Sequence, residues 1–433
     1  YAMAMPDTLV SIEESAFEGT SALLALGLTN ENNIELPTNT THIGKKAFAF
    51  NSDVPAGLTL TLSSNIPIIA ESAFESSGLE RLIVPEGITK LEDKCFHNNY
   101  ITDIELPLSL TEIGNNVFLT PSEKTSYNDM RLNPISTITL KNNTQITNYK
   151  KMFLGCLTQQ LTLAGNIDVV PADACSITEP SIQNPLQTLV LSPQITEIGD
   201  NAFAGNALVE LALLGYQAGS GIQRIGHHAF YKCALADIAF GEGIVEIGDS
   251  AFADNQLISV SLPNSLTNLG EGAFAGNKIV NLTLPMSSGF TDIPVSAFTG
   301  NRIANLFLPL NIVRIGHAAF LSNQIHEVTI TDNIQFVGEL AFAENHIANL
   351  NIAQCSPMLI VQDGAFKNNL LVFLYLPDRI GSFGNFVFEK NPITVIVGNE
   401  LIAMHAGNKN LGEFDVTLAD SFAVGGNGTY RYY

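Results

Sequence analysis

The chain has 433 residues, 46 % of them hydrophobic and 14 % charged, with no tryptophan and a net charge of −22 from 42 acidic and 20 basic side chains. So large an apolar fraction builds a substantial core, and no apolar run approaches the roughly 18 residues that a membrane helix needs. The acids are spread over both halves, a field that repels phosphate backbones and anionic membranes; this argues against nucleic acid or direct membrane insertion and favours a soluble monomer.

Taken in chain order, one element keeps returning: a phenylalanine, usually preceded by alanine, at Phe17, Phe48, Phe74, Phe96, Phe118, Phe153, Phe203, Phe230, Phe252, Phe274, Phe298, Phe320, Phe342, Phe366 and Phe388, with Cys175 in the one missing place. Its commonest spacing is 22 residues. A fixed period of that size marks a solenoid, whose units bury their apolar faces only against their neighbours. The repeat starts early, with the fragment Leu9 to Phe17 close behind Tyr1, so the sequence is expected to begin after a trimmed leader, a removed domain or an expression boundary.

The unit from Phe252 to Ala273 carries the pattern most plainly. Val260 and Leu262 alternate with Ser259 and Ser261, as in a strand with one buried face, and Pro263 stops it because proline has no N–H for a further rung. Pro37, Pro107, Pro285, Pro309 and Pro377 repeat that stop. Leu266, Leu269 and Ala273 follow at spacings of three and four, which predicts a tight turn and a brief helical segment before the next phenylalanine. Gly270 and its counterparts, among them Gly44 and Gly316, stand where a turn needs a special conformation or a close approach. Asparagine falls three residues after most of the phenylalanines, as at Asn255, Asn277 and Asn301, and reads as the side chain that satisfies buried backbone groups between units. The fold class is therefore an α/β repeat solenoid, with a parallel sheet of short strands on one face and turns or short helical segments on the other. About sixteen units stacked at about 4.8 Å would make a rod or horseshoe roughly 75 Å long. Residues 1–397 form the solenoid, with an incomplete first unit, and 398–433 a C-terminal cap and tail in which Phe414, Val416 and Leu418 read as a strand.

The period stretches to 35 residues between Phe118 and Phe153, where Pro121 to Pro134 is a polar insertion, and Gly215 to Gly221 forms a second, glycine-rich one. Insertions map to one face of a solenoid; the first is either a functional loop or a drifting surface loop. The cysteines Cys95, Cys156, Cys175, Cys233 and Cys355 show no metal-type spacing and read as small buried apolar residues. No HExxH, GxSxG, P-loop or EF-hand string occurs, so no catalytic residue, cofactor or metal is expected. Asp103 and Glu105, two apart on one strand, are the carboxylates closest to a glycosidase pair and read as surface acids, while His227, His228 and His317 read as polar turn residues.

The string L-x-x-L-x-L-P-x-x-[LI]-x-x-I-G-x-x-A-F-x-x-[NC], seen at Leu191 to Asn206, Ile244 to Asn255, Leu308 to Asn323 and Val328 to Asn345, resembles the leucine-rich repeats of BspA-like bacterial surface proteins, the Treponema pallidum type. The resemblance covers about residues 9 to 397. It implies a curved solenoid that recognises a protein or glycoprotein of a host or neighbouring cell, in adhesion or host interaction, as a secreted or cell-surface protein or as one delivered into a host cell. Two departures stand out: asparagine replaces the cysteine common in that family, and several units are stretched.

Function is then expected on the strand positions that the buried pattern leaves free. Two columns run along that face, acidic early at Asp103 and Asp237, amide- and hydroxyl-rich in the middle, and aromatic late. Asn281, Asn305, Phe307, Glu327, Asn349, Phe373 and Tyr375 are the candidate partner-binding residues. Phe373 and Tyr375 could instead pack beneath the C-terminal cap. The alternative function is a structural surface protein whose solenoids associate with one another.

Overall fold

A computed structural model describes residues 5–20, 32–50, 57–118, 137–140, 160–165, 168–176, 186–213, 221–352, 359–376, 381–398 and 428–431. The insertion 121–134, most of 215–221, and Phe153, Cys156, Cys355, Phe414, Val416 and Leu418 lie outside these residues. Two compact units divide the chain, Tyr1–Leu211 and Ala212–Tyr433. Each is a solenoid of coils stacked in sequence order.

The predicted strands pair in parallel within each unit, in several short sheets. In the first, Asn33–Glu35 pairs with Leu58–Thr61 and that with Leu79–Ile83, while Asp103–Leu106, Thr137–Leu140, Gln160–Gly165 and Thr188–Leu191 pair in that order. In the second, Ser259–Ser261 pairs with Asn281–Thr283, Asn305 bridges to Glu327, Glu327–Ile330 pairs with Asn349–Ile352, and Phe373–Tyr375 pairs with Val395–Gly398. Burial alternates along these strands as the sequence pattern requires: Val260, Val328, Leu350 and Leu374 point into the core while their flanking residues are exposed. Gly428–Arg431 adds an antiparallel strand against Val395–Gly398.

The expected helical segments are not formed. Among the described residues there is no helix, and the secondary structure is strand and turn alone. Where the spacing of Leu266, Leu269 and Ala273 suggested a helical turn, each coil instead turns a corner and contributes a two-residue strand to a second parallel ladder. Arg224–Ile225, Glu246–Ile247 and Asn268–Leu269 pair in register, as do Asp292–Ile293, Arg314–Ile315, Phe336–Val337, Ile360–Val361 and Ser382–Phe383. The glycine that follows explains the choice. A Cβ on Gly270 would stand 2.3 Å from the Asp249 backbone nitrogen, so glycine lets this corner close directly onto the preceding coil.

Past that corner the backbone alternates in handedness. The residue before Ala-Phe is left-handed in coil after coil, at Lys46 (φ 54°), Ser72 (φ 54°), Ser250 (φ 51°) and Ser296 (φ 54°), and so is the residue two after the phenylalanine, as at Asp254 (φ 55°). Alternation turns successive N–H groups the same way. Ser250, Phe252 and Asp254 thus donate to the carbonyls of Glu271, Ala273 and Ala275, one coil further on, and Lys46, Phe48 and Phe50 donate likewise to Glu71, Ala73 and Glu75.

Behind this segment the phenylalanine rings stack face to face. Phe230, Phe252, Phe274 and Phe298 follow one another with centroids 5.3, 5.3 and 5.8 Å apart, and Phe17, Phe48, Phe74 and Phe96 form the same column in the first unit. The asparagines close each coil, as expected. Asn277 is buried; its amide donates to the carbonyls of Phe252 and Phe274, and its oxygen accepts the N–H of Leu257. Ser77 occupies the same place and donates its hydroxyl to the Phe48 carbonyl. In the first unit Cys95 and Cys175 are buried within the stack, and burial raises the Cys95 thiol well above its ordinary range.

Candidate functional site

The second unit brings most of the candidate residues onto one face. Register places Ser259 beside Asn281, and Asn305 beside Glu327 and Glu327 beside Asn349, so within each of these two sets the side chains stand about 4.8 Å apart along the stack. All of them are exposed. Phe307 lies in the second column, which runs through Ser261, Thr283 and Thr329. Its ring is 65 % exposed, and Phe373 and Tyr375, flanking buried Leu374 on one short strand, are 53 % and 58 % exposed. Those two strand neighbours point outward with the free columns and away from the phenylalanine stack. The predicted residues therefore share one face of the second unit, with Phe373 and Tyr375 on the Phe373–Tyr375 strand at its C-terminal side.

Two features escaped the sequence reading. Met286 and Leu310 are 63 % and 68 % exposed and stand in successive coils just after the strand-ending prolines. Ile258 and Val280 are also exposed, one residue before the strand columns. The alternating pattern is legible only across the strand, Ser259 to Leu262 in the plainest unit, which leaves out the positions on either side. Their signal was there: in each coil the residue after the proline is free to vary, and in these two it is apolar.

The polar groups of this region are held by neighbouring coils. Glu242 accepts the N–H groups of Asn264 and Ser265, and Asn264 in turn accepts the N–H of Met286. His326 and His346 rings are 5.9 Å apart and tilted at 49°. Elsewhere, His227 Nδ1 accepts the N–H of Asp249 and His317 pairs with Glu339, which makes them ties between coils, as the turn reading expects. Asp103 and Glu105 lie exposed on the first unit's strand Asp103–Leu106. No group of three or more histidine, cysteine, aspartate or glutamate side chains able to hold a metal is present among the described residues, and no helix there is long and apolar enough to cross a membrane. What the second unit's face offers chemically is hydrogen bonding from amides and hydroxyls, and apolar contact from rings and Met, Leu, Ile and Val side chains.

The repeat is matched by the model of the BspA type leucine rich repeat region over residues 2–125, 124–215, 182–301, 223–349 and 291–404. The chain belongs to the BspA-type leucine-rich repeat family. Membership puts it among protein-interaction scaffolds. No curated protein matches it. Among solved structures it is similar to a leucine rich cell surface protein from Faecalibacterium prausnitzii, at 21 % identity over 62 % of this chain and 84 % of that one with a TM-score of 0.31. A leucine-rich repeat protein from Bacteroides ovatus matches at 19 % identity over 63 % and 69 %, TM-score 0.35, and another from Eubacterium ventriosum at 15 % over 84 % and 83 %, TM-score 0.31.

Proposed function

We propose that the chain is a non-enzymatic recognition module that binds a protein or glycoprotein of a host or neighbouring cell through the outward strand face of its second unit, acting as a monomer at a cell surface or after secretion. The observation that carries this reading is the exposure of Phe307, and of Phe373 and Tyr375 on a strand whose inward residue Leu374 is buried. An exposed ring adds nothing to the coil stack, whereas at an interface it supplies a large apolar anchor with little entropy to lose. Adhesion or host interaction is the setting in which such a surface is used.

Capture from host-cell extract by photo-crosslinking, with the intact chain and with Phe373→Ser/Tyr375→Ser, tests it. The double variant should lose the captured partner and keep its melting temperature. Lost thermal stability would assign those rings to packing at the C-terminal side, and light scattering that rises with concentration would favour self-association over a partner.

A further inference from the structure

In three successive coils of the second unit the strand columns and the positions just before and after them carry no charge, the nearest charges within the coils being the exposed Lys278 and Arg302 on the asparagine side. Across the strand columns and the positions just before and after them, the exposed residues of these coils are Ile258, Ser259, Ser261 and Asn264, then Val280, Asn281, Thr283 and Met286, then Asn305, Phe307 and Leu310. Carboxylates return on both sides, Asp237 and Glu327 in the first strand column and Glu242 and Asp332 at the positions aligned with Met286 and Leu310. All four are exposed. From the Asp237 coil to the Glu327 coil is four steps of the stack, about 19 Å at the usual spacing of strands.

The apolar members lie diagonally across this window. Ile258 and Val280 are on its asparagine side in the first two coils, and Met286 and Leu310 on its proline side in the last two, with Phe307 between the sides. Such a patch, framed by acid and lying within a strongly acidic molecule, calls for an occupant with an apolar middle and positive ends. The occupant's backbone is constrained as well. Ser259–Ser261 pairs with Asn281–Thr283 and Asn305 bridges to Glu327 along the stack, so a guest lying across the outward face meets side chains and not the hydrogen-bonding edges, which point along the stack. A guest that cannot add a strand has to satisfy its own backbone groups, and an α-helix does so.

Resting on the recognition reading above, we infer that this window is the docking site for an amphipathic α-helix of a partner protein, with an apolar stripe at its centre and lysine or arginine at each end. A helix rises about 1.5 Å per residue, so about 13 residues span the distance between the two acidic borders.

The test uses the intact chain and two synthetic helical peptides of about 16 residues. Both carry leucine at i, i+3, i+4 and i+7; one has two lysines at each end and its twin has two glutamates there. Titration calorimetry should find the lysine-ended peptide bound at least about tenfold more tightly than the twin, the difference shrinking as salt is raised through the screening range. Phe307→Ser/Leu310→Ser should abolish binding without moving the melting temperature, because both side chains are exposed. The variant Asp237→Asn/Glu327→Gln/Asp332→Asn, which spares the backbone-bonded Glu242, should narrow the gap between the two peptides. Equal affinity for the unmodified chain, or binding indifferent to Phe307, overturns the inference. So does binding of a neutral oligosaccharide of hexoses with neither peptide bound. If no peptide binds while extract still yields a partner whose capture needs Phe307, the helix is refuted and the recognition reading stands.

Discussion

Phe274 and Thr283 are nine residues apart in one coil of the second unit, and their columns obey opposite rules. Around Phe274, the coils before and after supply the same ring, at 5.3 and 5.8 Å, because each ring is the surface on which the next one lies. Around Thr283, the neighbours are Ser261 on one side and Phe307 on the other, and the strands accept either. The phenylalanine side is self-complementary: a residue there is chosen by its own copy. On the strand side nothing within the chain does the choosing, so whatever selects those residues comes from outside it.

Substitutions on the two sides should sort accordingly. The largest effect is expected at the rings: Phe274→Ala removes a fully buried side chain stacked between two others and should cost about 3 to 5 kcal/mol in urea unfolding. Asn277→Ala leaves the Leu257 N–H and the Phe252 and Phe274 carbonyls without their buried partner, for a loss of about 2 to 4 kcal/mol in the same measurement. At the left-handed position, Ser296→Gly should be neutral or stabilising by up to about 1 kcal/mol, since glycine relieves φ 54° and already fills the equivalent Gly272. A clear loss there would mean that the side chain, and not the backbone, sets the site. The smallest effect is expected on the strand face, where Thr283→Ala should stay within about 0.5 kcal/mol. A loss as large as that of Phe274→Ala would erase the distinction between the two sides.

One position on the phenylalanine side varies from coil to coil. The residue after the phenylalanine is alanine at Ala49, Ala204, Ala253, Ala275 and Ala343, but charged pairs stand in successive coils at Lys367 and Glu389 and at Glu75 and His97, where His97 Nδ1 is 3.4 Å from Glu75 Oε1. Burial pushes the Glu75 carboxyl up, while hydrogen bonds from His97 and Ser72 outweigh it and hold the group below its ordinary value. A carboxyl held low in the folded state contributes stability above its unfolded value, and that contribution fades as pH falls through the folded one. Melting temperature should therefore drop on acidification through the carboxylate range, and Glu75→Gln should flatten that drop; an unchanged slope would separate Glu75 from acid stability.

Much of this could be read from residues that repeat by type. Phenylalanine, asparagine and the Leu-Pro stop recur because few side chains fit each place, with Cys175 and Ser77 as the exceptions, and their columns stand where the spacing put them. The second ladder was hidden because two-residue strands such as Glu246–Ile247 are too short to show alternation, and the spacing of Leu266, Leu269 and Ala273 suits a corner as well as a helix. The left-handed positions were hidden for another reason: Lys46, Ser72, Asn116, Asp173, His228, Ala318 and Leu340 all adopt them, so no glycine or asparagine signature marks the site. The outward columns were legible as columns. Met286 and Leu310 were missed because they stand beyond the proline that seemed to end the strand.

The alternating segment has one more consequence. The hydrogen bonds that it makes between coils, as from Ser250, Phe252 and Asp254, run from an amide to the carbonyl ahead, so their dipoles add along the column as they do along a helix axis. The column has a sense, with amides leading and carbonyls trailing. Two such columns cannot meet nose to nose, because donors would face donors. Any assembly that prolonged this column from one molecule into the next would have to run head to tail, and a two-fold axis across the join is forbidden to it.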